Sequence, residues 1–209
     1  MVKVSTMVRR QADPRARLMR IAILALAGSL FTALCARISL PVPFSPVPIT
    51  GQTLAVLISG AVLGARAGGL AQLCYLGEGA LGLPVFAGGA GGPAVLAGAT
   101  AGYLWAFPLA AFVAGALIDH QRGRYGVAPI LLALLCADGL VFAVGLGWLE
   151  LSLQLGLARA ADLGLWIYVP GDLVKILLVA ITLPSGRRLL DRAGWGIAAG
   201  TSGDDASAG

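Results

Sequence analysis

The sequence predicts an all-α membrane protein with six transmembrane helices and both termini on the cytoplasmic side. Three observations predict it. Hydrophobic residues make up 58% of the 209 and charged residues only 12%, against about 25% charged in soluble domains. The apolar residues gather in six runs, 18–38, 53–65, 67–82, 94–118, 126–153 and 167–184. Of the 15 Lys and Arg residues, 12 fall on one side of that layout. A body of this size has too little interior to hide so many apolar side chains, which excludes water-soluble enzymes and nucleic-acid binders.

The charges orient the layout. Lys3, Arg9, Arg10, Arg15, Arg17 and Arg20 precede or open the first run. Arg66 sits in a short break, Arg122 and Arg124 in a polar hinge with Asp119 and His120, and Arg187, Arg188 and Arg192 at the end of the last run. The other side carries Arg37 and Arg159, with Lys175 inside a span. This is the positive-inside pattern. The net charge of +5 is therefore an orientation signal and not the mark of a polyanion partner. The second run spans only ~20 Å as a helix, short of a hydrocarbon core of ~30 Å. It is either a short helix shielded by protein or one element with the third run. Merging the two would leave five spans and put the C-terminal arginines outside, against the charge pattern.

The domain reading follows. Residues 1–17 form a basic cytoplasmic segment, 18–192 a single six-helix membrane domain, and 193–209 a flexible cytoplasmic tail of mostly small residues. The first apolar run is too long for a secretory h-region and lacks a small-residue cleavage site, so it reads as a span. Cys35, Cys74 and Cys136 lie in or beside apolar runs and read as packing residues.

Two connections on the side away from the basic clusters are unusual. Residues 41–48 hold four prolines, Pro41, Pro43, Pro46 and Pro48, which favour stiff, extended backbone. The segment is either a lid over a cavity or a rigid connector. Between Gly79 and Gly92 lie six glycines, those two included, which allow backbone to approach a ligand closely. No Gly-Lys-Ser/Thr follows, so this is not a phosphate loop.

Charged residues inside spans are costly and point to function. The candidates are Glu78, Asp138, Asp172 and Lys175. Asp172 and Lys175 are three apart, on one helical face, and Pro170 marks a helix start, so Asp172 gains from the helix dipole. The pair suits a ligand with N–H donors and a carboxylate: Asp172 accepts, Lys175 pairs with the anion. The alternative is an internal salt bridge. Asp138 reads as structural, Glu78 as a group near water, and His120 as part of the hinge. Ala25, Ser29 and Ala33, four residues apart, form a small-residue stripe for close helix approach, either within the bundle or to another subunit.

Five segments in order, PVPFSPVPITGQT (41–53), LAVLISGAVLG (54–64), GLPVFAGG (82–89), GATAGYL (98–104) and PGDLVK (170–175), resemble the biotin-specific substrate-binding component of energy-coupling factor (ECF) transporters. The resemblance runs through roughly residues 20–190. It implies six membrane helices in the cell inner (cytoplasmic) membrane, biotin captured at the outer face, and no catalysis by this chain. It also implies a transmembrane coupling subunit and cytoplasmic ATPases as partners, with ATP used by them and no cofactor held here. On this resemblance Asp172 and Lys175 are the polar pair of the ligand site. Tyr103, Gln52, Gly88 and Gly89 are wall or lid residues. Ala25, Ser29 and Ala33 resemble the face that docks the coupling subunit, with Ser in place of an alanine. Ala99 and Ala101 depart from the family's GPTGGYL-like motif, and the second outer loop has no arginine for a second contact to the carboxylate. The expected function is biotin uptake as the substrate-capture subunit. The rivals are a self-sufficient secondary or passive transporter of a small carboxylate vitamin, and a membrane enzyme, which lacks a nucleophile–base constellation.

Overall fold

The structure, a computed structural model, describes residues 14–121 and 126–192. Lys3, Arg9, Arg10, Arg122, Arg124, most of the basic N-terminal segment and the C-terminal tail lie outside the described residues. The first helix, α1 (Pro14–Cys35), is followed by a two-residue strand, β1 (Ser39–Leu40), which pairs antiparallel with β2 (Ile49–Thr50). The four prolines thus sit in a flap closed at its base. Next come α2 (Gln52–Ala80), two 3-10 turns at Ala87–Gly89 and Val95–Ala97, and α3 (Ala101–His120). The chain ends its described part with α4 (Val127–Leu153), α5 (Leu157–Gly164) and α6 (Val169–Arg192). Five of these helices are long and apolar enough to cross a membrane.

Helix α2 is not one rod. Gly64 has φ 81° and ψ 174°, a conformation open essentially to glycine alone, and there the helix folds back on itself. The Gln52 amide bonds the Tyr75 hydroxyl at 2.7 Å, although a continuous helix would separate them by ~35 Å. The two arms touch at Gly60 and Gly68, where a Cβ on Gly68 would lie 2.7 Å from the Gly60 Cα. The break exposes backbone groups that a helix would satisfy internally. Asp119 of α3 accepts from the Ala65 N–H at 3.2 Å, and Arg187 of α6 donates to the Ala61 carbonyl at 2.8 Å. The second and third apolar runs are therefore arms of one hairpin, with the inter-run break at Gly64.

The other boundaries moved for local reasons. α3 begins at Ala101 and not near 94, because Pro93 and the surrounding glycines favour turns. Residues 157–164, expected within a connection, form α5, which buries Ala160 and Leu163 against the bundle. α6 runs on to Arg192.

The ends of the bundle are distinct. A Cβ on Gly51 would lie 2.7 Å from the Cys35 carbonyl oxygen, so α1 ends where α2 begins. α6 starts at that same end and reaches Arg187 beside the Gly64 break. Pro14 and Arg192 therefore share the opposite end, together with Arg15, Arg17, Arg20, Arg66, Arg187 and Arg188.

The core lies between α2, α3, α4 and α6 and includes Leu57, Tyr75, Phe107, Ile118, Leu134 and Leu183. The outer faces of α1, α4 and α6 are apolar, with Leu34 68% and Ile181 74% exposed, as hydrocarbon solvent requires. The small-residue stripe of α1 packs within the bundle. Ala25 and Ser29 are 3% and 0% exposed, and Ala33 packs against the core. The neighbouring Gly28 abuts Ala71 and Leu63 of α2. The stripe points inward, where small side chains let α1 approach the hairpin, and the outward face of α1 carries Ile23, Leu26, Leu30 and Leu34.

Candidate ligand-binding site

Where α2, α3 and α6 begin, the bundle encloses a cavity of about 240 Å³, just below the ~300–1,000 Å³ usual for small-molecule pockets. Its wall is largely apolar, with Val47 from the proline flap, Phe86 from the glycine-rich segment, Leu104 and Phe107 from α3, and Val141 and Phe142 from α4. Asp172, Lys175, Thr53, Gln52, Tyr103 and Tyr168 supply much of its polar surface.

The first two turns of α6 bring the two charges together. Lys175 Nζ lies 2.5 Å from Asp172 Oδ1. Thr53, from the first turn of α2, completes the cluster: Lys175 donates to its hydroxyl at 2.7 Å, and that hydroxyl lies 3.2 Å from Asp172 Oδ1. Asp172 is 4% exposed, so its carboxylate depends on these donors in place of water. The ammonium has a third hydrogen and the carboxylate a second oxygen, and neither has a further protein partner among the described residues. The sequence reading missed Thr53. Its only signal was a position beside Gln52 at a helix start.

The flap is pinned by a second network. The Tyr168 hydroxyl donates to the Val47 carbonyl and lies 3.1 Å from Ser45 Oγ. Ser45 in turn donates to the Leu163 carbonyl of α5 at 2.6 Å and accepts from the Val47 N–H at 3.0 Å. Burial pushes the Tyr168 phenol above its ordinary pKa, and the Ser45 hydrogen bond partly offsets that. Tyr168 therefore stays a neutral donor. The Tyr103 hydroxyl donates to the Gly164 carbonyl at 3.0 Å and ties α3 to α5.

Of the residues expected at the site, Asp172, Lys175, Tyr103 and Gln52 line the cavity together. Gly88 and Gly89 do not. They make the turn, with φ 66° and 79°, that presents Ala87 and Ala90 to the cavity. Arg37, just past α1, donates to the Pro84 carbonyl at 2.7 Å, and its guanidinium flanks Gly89; it braces the glycine-rich segment and is not among the residues that line the cavity. Asp138 lies outside the cavity wall, 6% exposed and with its Oδ1 unpartnered among the described residues. Glu78 Oε2 is likewise buried, with no partner among the described residues.

Comparison with known proteins bears on this arrangement. A family profile described as the BioY family matches residues 7–192. The chain is 37% identical over 163 residues to "Biotin transporter BioY" of Rhizobium etli, covering 73% of this chain and 87% of the relative. It is 40% identical over 150 residues to "Probable biotin transporter BioY" of Pyrococcus horikoshii, covering 70% and 85%. Its fold matches a crystal structure of the S-component for biotin from an ECF-type ABC transporter with a TM-score of 0.75 at 24% identity, over 84% of this chain and 94% of that one. Matched by the profile along most of its length and by relatives above 30% identity, the chain belongs to the BioY family.

Proposed function

We propose that this protein captures biotin for uptake, as the S component of an ECF-type transporter. The named relatives are biotin transporters and not enzymes, and the fold is that of an S component for biotin. The observation that carries the reading is the Asp172–Lys175–Thr53 cluster at the wall of an otherwise apolar cavity. Biotin offers the complement: a ureido ring with two N–H donors, an apolar thioether ring and a carboxylate on a flexible chain. Asp172 accepts a ureido N–H, while Lys175, on its flexible stem, turns to the carboxylate. The apolar walls take the ring. The proline flap and the glycine-rich segment close the entrance.

On this reading the hairpin arms of α2 count as two crossings, six in all. The end bearing Pro14, Arg66 and Arg192 faces the cytoplasm, and the cavity opens outward. The charge asymmetry supports this orientation, since the cavity end carries only Arg37, Arg159 and Lys175 among the described cations. The protein resides in the cytoplasmic membrane, and a transmembrane coupling subunit with cytoplasmic ATPases drives release inward.

The test is equilibrium binding of biotin to the purified chain, with competition by biotin lacking its carboxylate or its ureido donors. Tight binding that both deletions weaken supports the reading; no binding overturns it. Reconstitution with and without coupling subunits then separates a substrate-capture subunit from a self-sufficient transporter.

A further inference from the structure

Gln52 and Tyr75 form a chain of hydrogen bonds whose direction is set at its far end. Tyr75 is fully buried on the second arm of α2, and its hydroxyl reaches the Val85 carbonyl at 2.9 Å. A carbonyl oxygen only accepts, so the phenolic proton belongs to that bond. The Tyr75 oxygen is then left to accept, and the group 2.7 Å away is the Gln52 amide nitrogen. The reversed amide would set two acceptors against each other with no proton between them. Gln52 therefore turns its NH₂ to Tyr75 and keeps its Oε1 away from it. Gln52 is 4% exposed and lines the cavity, and its Oε1 has no partner among the described residues.

We infer that Tyr75 is a positioning residue: by holding the Gln52 amide in one orientation, it makes Gln52 Oε1 an acceptor subsite for a second ligand N–H, separate from Asp172. This rests on the reading of biotin as ligand. The same hydroxyl fastens the glycine-rich segment, because Val85 precedes Phe86. The Phe86 ring packs edge-on to Tyr75 at 5.4 Å and 86° and forms part of the cavity wall. One buried phenol thus sets both the polarity of the wall and the seat of the segment beside it. A buried acceptor left without a donor is penalised, so the site discriminates against ligands that lack the second N–H.

The experiment compares the parent, Tyr75→Phe and Gln52→Leu for binding of biotin and of two lactam analogues, each with one ureido N–H replaced by CH₂. In the parent, one analogue binds at least about tenfold more weakly than biotin through loss of the Gln52 bond, a difference of ~1.4 kcal/mol. Gln52→Leu brings that ratio close to one, and Tyr75→Phe lowers it several-fold although Gln52 is still present. Equal weakening of biotin and both analogues in the two variants would mean that Tyr75 and Gln52 act only in packing, and would overturn the inference. If Tyr75→Phe does not fold, Gln52→Leu decides by whether the ratio survives. Absence of biotin binding by the parent is a different failure: it overturns the functional reading and the subsite with it.

Discussion

Asp119 and Arg187, on the last turns of α3 and near the end of α6, form an ion pair of 2.6 Å that seals the broken helix at Gly64. Asp119 holds the N–H that opens the second arm, and Arg187 holds a carbonyl that ends the first. The charges match the helix dipoles they face, a carboxylate at an N-terminus and a guanidinium at a C-terminus. One pair thereby joins α2, α3 and α6 at the end of the bundle away from the cavity.

Removing either partner breaks the ion pair and takes a hydrogen-bond partner from the backbone, the Ala65 N–H in one case and the Ala61 carbonyl in the other. Asp119→Ala and Arg187→Ala are each expected to lower stability by about 1–3 kcal/mol, read as thermal unfolding in detergent. The double variant should lose much less than the sum, because the two act as one unit. Additive losses would show that they work independently.

Gly64→Ala should destabilise by about 1–3 kcal/mol, since its backbone conformation is one that L-residues rarely adopt. The melting temperature checks this. An unchanged value would mean that the chain reverses without a left-handed residue at 64.

Asp172→Asn and Lys175→Ala are expected to weaken biotin binding by about 10–100-fold each, from loss of a charge-assisted hydrogen bond. Thr53→Val, which keeps the shape and removes the bridge between the two charges, should weaken it less, by about tenfold. Calorimetric titration of folded variants measures all three. Parent-like affinity in both charge variants would remove the cluster from the site.

Ser29→Leu should act on the fold. Ser29 is fully buried beside the α2 hairpin, and overpacking there costs about 1–3 kcal/mol. The expected result is a lower melting temperature. A normal melting temperature with lost co-purification of a coupling subunit would place the stripe back at an interface.

Parts of this molecule were legible in the chain because they depend on neighbours within a turn or on bulk solvent. Asp172 and Lys175 share a face by helical spacing alone, and Pro170 marks the helix start. The apolar runs and the placement of Arg and Lys answer to hydrocarbon thickness and membrane asymmetry, which need no tertiary contact. Membership of a membrane class, the helical character and the central pair were therefore readable.

The rest depended on how helices cross. Thr53 meets Asp172 across 119 residues and Lys175 across 122, and no spacing rule relates them. The four-residue spacing of Gly64 and Gly68 suits helix packing as well as a turn, and only the φ of Gly64 shows that it reverses the chain. The stripe on α1 has the same composition whether it faces a partner or its own hairpin, and burial decided for the hairpin. Sequence by itself determined which residues must leave water and which charges must stay near it, because transfer free energies belong to the side chain. The tertiary structure alone decided which buried polar groups satisfy one another, because a hydrogen bond exists only where two distant backbones bring donor and acceptor within about 3 Å.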